Sequence, residues 1–83
     1  MNWNKYPETV PPNDGKYLVV VFLNSCYRVI DICNFASNLR KADKYSFPNE
    51  RRAGWYQYDS EWGYFERSDI THWAELPPMP NDY

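Results

Sequence analysis

The run Tyr17-Leu18-Val19-Val20-Val21-Phe22-Leu23 is the clearest β-strand in the sequence, and the rest of the fold can be worked out from it. It is continuously apolar and rich in β-branched residues, a pattern typical of a strand that is buried on both faces at the centre of a sheet. Asn24-Ser25 follows as a two-residue hairpin loop, with residues 26–35 as the returning strand. The sequence therefore predicts a β-hairpin at the centre of the domain.

The length of this loop determines which residues of the two strands lie opposite each other. A two-residue loop places Phe22 opposite Tyr27. The two cysteines, Cys26 and Cys33, then lie in one strand, and their odd separation points them to opposite faces, about 23 Å apart. A disulfide requires Cα atoms within roughly 7 Å of each other. We therefore expect two buried free thiols, which are typical of a protein in the reducing cytoplasm.

A second hairpin follows between residues 54 and 66. Its strands are residues 55–58 and 62–66, its turn is residues 59–61, and aromatic side chains occur on both strands. Cross-strand aromatic pairs contribute roughly 0.2–1 kcal/mol each to stability. We therefore expect this hairpin to have a well-defined register.

Two extended segments flank the hairpins. Residues 1–16 form a proline-rich arm that is expected to lie across the sheet edge. The arm contains a turn at residues 12–15, in which Gly15 supplies the positive φ. Residues 70–76 form the closing strand, which Pro77 ends because proline cannot donate to a ladder. Alternation along this strand predicts that His72 points into the core and Trp73 away from it. The residues predicted to share the face of His72 are Ile70, Ala74 and Leu76.

Residues 36–53 interrupt this pattern of strands. Ser37 or Asn38 is suited to cap a short helix, with Leu39 and Ala42 facing inward. The insertion contains five basic residues and two acidic ones, although the net charge of the whole chain is −2. Long irregular segments in compact domains are often either functional or disordered. If this one is functional, its concentration of positive charge predicts a role in binding.

Together these elements predict one domain over residues 1–83 with a mainly β fold, that is, a β-rich α+β fold. We expect a single small antiparallel sheet of four to five strands with at most one short helix. Aromatic residues make up 19% of the chain, so the core should be built largely from rings. No apolar run is long enough to cross a membrane, and we expect no membrane contact.

Residues that carry catalysis or bind metals are sparse. The alternation of His72 with apolar neighbours indicates a packed core histidine and not a general base. A zinc site would need Cys26, Cys33, His72 and a carboxylate, which the opposite-facing cysteines disfavour. A Cys–His nucleophile pair would lack an oxyanion-hole turn, and no glycine-rich phosphate loop is present. We therefore expect no catalytic residues, no metal and no cofactor.

The aromatic and basic residues favour a binding function. Trp, Tyr and Arg dominate the hot spots of protein interfaces, so the second hairpin and the basic insertion predict a patch that binds another protein. Exposed rings flanked by cations also bind single-stranded nucleic acid, which is the alternative. Against it, the C-terminal third is acidic and a small core needs its rings. The candidate binding residues are Arg51, Arg52, Trp55, Tyr56, Tyr58, Trp62 and Tyr64.

The segment Thr71-His72-Trp73-Ala74-Glu75-Leu76-Pro77-Pro78-Met79-Pro80 resembles the T-H-W-x-x-L-P-x-x-P ending of a small phage and prophage family, domain of unknown function 551. The early Trp3 and the proline-rich turn into Gly15 are similar to other elements of that family, whereas residues 36–53 depart from it. The signature residues are Thr71, His72, Trp73, Leu76 and Pro77. The resemblance implies a phage or mobile-element origin. It also implies a small non-enzymatic accessory protein that binds a host protein, for example a component of a host defence system.

Overall fold

The computed structural model describes residues 2–24 and 26–78, which form one open antiparallel sheet and one short helix. Along the sheet, the strands lie in the order β1-β6-β2-β3-β4-β5. The elements are β1 Asn4–Lys5, β2 Gly15–Asn24, β3 Tyr27–Ala36, α1 Leu39–Ala42, β4 Gly54–Asp59, β5 Gly63–Arg67 and β6 Ile70–Ala74. The mainly β prediction is confirmed, including the two hairpins and the closing strand.

The sheet has six strands, and the predicted four to five is wrong. The additional strand is β1, in which Asn4 pairs with Trp73 and Lys5 pairs with His72. A two-residue strand has no sequence signature of its own, because it forms only when the closing strand presents a free edge to it. The start of the arm therefore lies at the sheet edge, as expected.

β2 is central, between β6 and β3, but it is buried on one face only. Tyr17, Val19 and Val21 are buried, whereas the intervening Leu18 and Val20 are half-buried. The prediction of burial on both faces is wrong, since over the middle of β2 the covering chain lies on one side of the sheet only. We call the covered side, which carries Tyr17 and Val19, the arm face, and the opposite side the open face.

The central hairpin has a different register from the predicted one. Phe22 pairs with Arg28 and not with Tyr27, because the pairing shifts between Phe22 and Asn24. Leu23 is the extra residue of this bulge. A slip of one residue moves every side chain of a strand to the other face.

The closing strand contains a second irregularity. Val20 pairs with His72 and Val21 with Ile70, which leaves Thr71 as the extra residue. Ile70 therefore lies on the arm face and His72 on the open face, so the prediction that they share a face is wrong. Trp73 was predicted to point away from the core, but it is buried in the core on the arm face.

Beyond β1 the arm crosses the arm face. The Tyr6 ring contacts Trp55 edge-on, with 5.5 Å between ring centroids. Trp73 Nε1 donates to the Thr9 carbonyl at 2.8 Å, and the Tyr17 hydroxyl donates to the Asn13 carbonyl at 2.7 Å. The arm is thus the second layer of the domain, and it closes a core built largely from rings.

The insertion folds against the other side of the sheet. Asn38 caps α1 by accepting from the Arg40 N–H at 3.1 Å, as its side-chain chemistry predicts. Leu39 is fully buried with Phe47 and Ala36 in a small second core. Ala42, which was expected to face inward, is exposed because α1 ends there after a single turn.

Gly54 permits the close approach of the helix to the sheet. A Cβ at this position would lie 2.7 Å from Leu39 Cδ1, which is closer than packed carbon atoms allow. The open face is therefore covered by α1 at one end and uncovered over the middle of β2 and β3. No helix within residues 2–24 and 26–78 is long and apolar enough to cross a membrane.

Candidate protein-binding surface

The uncovered part of the open face carries a strip of five apolar side chains. The register pairs Leu18 with Ile32 and Val20 with Ile30, so all four project from the same side of the sheet. Ile30 is 65% exposed and Ile32 is 49% exposed. We call this surface the aliphatic strip; its members are Leu18, Val20, Phe22, Ile30 and Ile32.

The aliphatic strip borders a depression at the hairpin end of the sheet. Trp3 from the arm, Val20, Ile30, Arg28 and His72 line a volume of about 430 Å³. An adjoining depression shares Arg28 and His72 and extends towards the hairpin turn. Contiguous exposed apolar surface with a polar rim is characteristic of an interaction site. The surface thus combines a concave apolar floor with a cation at its margin.

The open face is electrically positive, although the chain as a whole is not. Strand alternation places Lys5, Lys16 and Arg28 on this face. None of these three forms an ion pair in the described part of the chain. Glu66 is the acidic residue that the β4–β5 pairing places on the same face, and it is neutralised by Arg52 at 2.6 and 2.7 Å.

Four rings form a ladder on the open face of the second hairpin. Phe47 contacts Tyr56, Tyr56 contacts Tyr64 and Tyr64 contacts Tyr58, with centroid separations of 6.2, 5.8 and 5.0 Å. All three contacts are edge-on, so the rings pack against one another. Trp62 lies at the hairpin turn and is 82% exposed.

The structure separates the predicted binding residues. Trp55 is only 1% exposed and belongs to the core on the arm face, so its assignment to a binding surface is wrong. Tyr56 is half-buried, whereas Tyr58, Tyr64, Trp62 and Arg51 are exposed. β4 places the arginines at one end of the hairpin and Trp62 at the other, about 17 Å apart along the strand. These arginines and Trp62, the most exposed ring of the hairpin, therefore do not form one patch.

Arg52 has a structural role. Its guanidinium contacts Glu50 at 3.0 Å and forms a bidentate pair with Glu66. Hydrogen bonding to the Glu66 carboxylate raises the pKa of Arg52 above its usual value. Both partners are partly exposed, so the contact ties the insertion to β5 without contributing much stability. Arg51 extends into solvent beside it.

The residues of the aliphatic strip were not among the predicted binding residues. Its sequence signal is the alternation Ile30-Asp31-Ile32, which places two isoleucines on one face and a carboxylate on the other. The predicted register, with Phe22 opposite Tyr27, would instead set Leu18 opposite Asp31, so it did not pair Leu18 with Ile32. The bulge at Leu23 shifts the pairing by one residue and brings Leu18 opposite Ile32 and Val20 opposite Ile30.

The residues considered for catalysis do not converge. Cys33 is buried on the arm face and His72 is half-buried on the open face, so the sheet separates them. Burial raises the pKa of the Cys33 thiol to about 12, which keeps it protonated at neutral pH. The prediction of buried thiols holds for Cys33, whereas Cys26 is exposed.

No metal-binding cluster of three or more His, Cys, Asp or Glu side chains occurs in the residues that the structure describes. His72 Nδ1 lies 2.9 Å from Thr71 Oγ1. The Thr71 hydroxyl also contacts the Val20 carbonyl at 3.4 Å, across the β6 irregularity. These two signature residues thus shape the join between β6 and β2.

The other signature residues occupy different environments. Trp73 is in the core, whereas Leu76 and Pro77 follow the end of β6 and are exposed. Met79 and Pro80 of the same motif lie outside the described residues. The resemblance to the phage family remains a prediction. Comparisons of the chain with models of protein families, with curated proteins and with solved structures found no match.

Proposed function

We propose that this protein is a non-enzymatic protein-binding module and that its working surface is the open face, centred on the aliphatic strip. The observation that carries the proposal is the exposure of Ile30 and Ile32 beside Leu18 and Val20, in a chain that already has a closed core on its arm face. A small domain gains stability by burying such side chains. Their uncovered position is explained if a partner covers them.

The charges around the strip indicate the chemistry of the partner. Lys5 and Arg28 lie at one end of the open face and Lys16 at the other, and the basic insertion packs on the same side. A partner that covers the strip therefore meets cations at both ends of it. We infer that it is a polypeptide segment with aliphatic side chains flanked by acidic ones, because such a segment satisfies both the apolar floor and the positive rim.

Single-stranded nucleic acid is the second candidate, and one observation favours it. Trp62 and Tyr58 are strongly exposed rings, of the kind on which bases stack. The exposed side chains over the middle of the open face are aliphatic, however, and aliphatic side chains offer bases no ring to stack on. The arginines also lie at the far end of the hairpin from Trp62. These features favour a protein partner.

Selection from a random peptide display library on the immobilised protein tests the proposal. We expect the selected peptides to be rich in aliphatic and acidic residues. Ile32→Asp should weaken their affinity at least about tenfold, because it places a carboxylate in the apolar floor. Val10→Asp is the matched control, since Val10 on the arm is 50% exposed and Ile32 is 49% exposed.

Two results would contradict the proposal. The first is a set of selected peptides that bind Ile32→Asp as tightly as wild type, provided that circular dichroism shows both variants folded. The second is tight binding of a labelled single-stranded oligonucleotide that weakens steeply between low and high salt and is lost in the Arg51→Ala/Arg52→Ala variant. The second result would establish the nucleic-acid reading instead.

A further inference from the structure

The outer edge of β3 is only partly paired. Its ladder with β4 consists of Asn34 with Tyr56, Phe35 with Trp55 and Ala36 with Gly54. Over residues 27–33 no strand within the described part of the chain pairs with this edge. β3 is thus an inner strand at its C-terminal end and an edge strand at its N-terminal end. The free edge adjoins the most exposed member of the aliphatic strip, Ile30.

Hydrogen bonds show which backbone groups face this edge. Gln57 Nε2 donates to the Ile32 carbonyl at 2.9 Å, so the carbonyl points away from β2 and towards the β4 side. Backbone groups of alternate residues in a strand point to the same side. The N–H and C=O groups of Ile30 and Arg28 therefore also face the free edge.

The pairing on the other side of the hairpin agrees with this assignment. The Phe22 N–H donates to the Asp69 carbonyl, and the Val20 carbonyl accepts from Thr71 Oγ1, so the even-numbered residues of β2 face β6. The odd-numbered residues of β2 are then the ones that bond to β3, through pairs such as Val21 with Val29. The even-numbered residues of β3 are left facing outward.

Side chains end the ladder at Ile32. Its N–H donates to Asp31 Oδ1 at 2.7 Å, and its carbonyl accepts from Gln57, whose amide also contacts Asp31 Oδ2 at 3.1 Å. Both backbone groups of Ile32 are therefore satisfied without a partner strand. Arg28 and Ile30 remain, and together they present two donors and two acceptors to an incoming chain. This is the hydrogen-bonding capacity of a short added strand.

We infer that the free edge of β3 accepts an extended segment of the partner as an additional strand. The inference rests on the proposed function and specifies how the partner is held. The residues of the segment that pair with Arg28 and Ile30 would share the open face, so the segment carries an acidic residue opposite Arg28 and an aliphatic residue opposite Ile30, two positions apart. A second copy of the chain fits less well, because it would bring another cationic open face alongside.

The test uses the synthetic peptide acetyl-Glu-Thr-Ile-Thr-Glu-Thr-amide, whose alternation satisfies this spacing in either strand direction, and the same peptide with Lys in place of Glu. Amide hydrogen exchange is followed by NMR on the full chain. We expect the acidic peptide to slow exchange of the Arg28 and Ile30 amides several-fold and to leave the Val29 amide, which faces β2, unchanged. The Lys peptide should have no effect.

A pair of variants separates backbone from side-chain recognition. Ile30→Pro removes an outward N–H that no strand in residues 2–24 or 26–78 uses, so the fold should survive, as proline is tolerated on free edges. This variant should lose the peptide-dependent protection at Arg28, whereas Ile30→Val should keep it. Val29→Pro removes the hydrogen bond from the Val29 N–H to β2 and should unfold the chain. Unfolding of this variant but not of Ile30→Pro would confirm that the Val29 N–H faces β2 and the Ile30 N–H faces outward.

Three outcomes would overturn the inference. In the first, the peptide does not bind. In the second, the peptide shifts the methyl signals of Ile30 and Ile32 but protects neither amide, which leaves the open face as a binding surface and excludes strand addition. In the third, the two amides become protected with rising protein concentration in the absence of peptide, which would assign the edge to a second copy of the chain.

Discussion

Trp73 and Thr9 are joined by a hydrogen bond of 2.8 Å from the indole Nε1 to the backbone carbonyl. The bond connects the closing strand to the arm across 64 positions of sequence. The Trp73 ring also contacts Tyr17 edge-on at 5.2 Å, so the same side chain touches the central strand. Trp73 therefore holds the arm over the core. Because the arm is the second layer of the domain, this contact is expected to stabilise the fold.

The two core tryptophans offer a test of this role. Trp73→Phe leaves the Thr9 carbonyl without its donor, whereas Trp55→Phe removes an indole N–H that has no partner among the described atoms. We expect Trp73→Phe to lower the free energy of unfolding by about 1–3 kcal/mol more than Trp55→Phe does. Urea denaturation followed by circular dichroism measures the difference. Equal losses for the two variants would contradict the role assigned to the Trp73 bond.

One-sided burial of β2 predicts that adjacent valines differ. Val19 is fully buried on the arm face, whereas Val20 is half-buried on the open face. Val19→Ala should lower the free energy of unfolding by about 2 kcal/mol, and Val20→Ala by under about 1 kcal/mol. Thermal and urea unfolding of the two variants compare them directly. If Val20→Ala were as destabilising as Val19→Ala, the open face would have to be covered within the chain itself.

The corner between β5 and β6 predicts a pH dependence. Arg67 holds Asp69 in a bidentate pair at 3.0 and 2.7 Å, and these hydrogen bonds lower the pKa of Asp69 below its usual value. A carboxyl with a lower pKa in the folded state stabilises the fold above its unfolded pKa of about 4, and that contribution is lost as the pH falls through the folded value.

The difference in stability between wild type and Asp69→Asn should therefore be largest at neutral pH and should narrow below about pH 4. Urea denaturation at a series of pH values measures it. Arg67→Gln should behave in the same way, because it removes the other half of the pair. A difference that stays constant through the acid range would show that the pair does not act on Asp69 as described.

The two cysteines should react at different rates. Cys26 is exposed in the hairpin turn, whereas Cys33 is buried, has a pKa raised to about 12 by that burial, and donates its thiol to the Tyr56 carbonyl at 3.3 Å. An aromatic disulfide reagent should label Cys26 in the native protein and both thiols in denaturant. Cys26→Ser should abolish the native reaction. Rapid native labelling of this variant would mean that Cys33 is accessible.

Local features of the fold were predictable because neighbouring residues determine them. Three such features are the β-branched run at residues 17–23, the turn-forming Gly15 and the capping side chain of Asn38. Each affects only the backbone of residues close to it in the sequence. The candidate site was only partly predictable. Tyr58, Tyr64 and Trp62 are exposed as a binding role requires, but Trp55 is in the core, and the exposed Ile30 was not among the predicted binding residues. Which rings are buried depends on what covers each face of the sheet. The covering segment is the arm, which is distant in sequence from the rings of β4 and β6 that it covers.

The sequence by itself determined the strands, their hairpin connections and the position of the closing strand. Only the tertiary structure decided which face of each strand is buried. The reason is that side chains alternate between the two faces along a strand. A single extra residue, such as Leu23 or Thr71, therefore changes the face to which each later side chain points relative to the partner strand. Those two irregularities place Trp73 in the core beneath the arm and leave Ile30 and His72 on the open face. The surface on which the proposed function depends is thus a consequence of register.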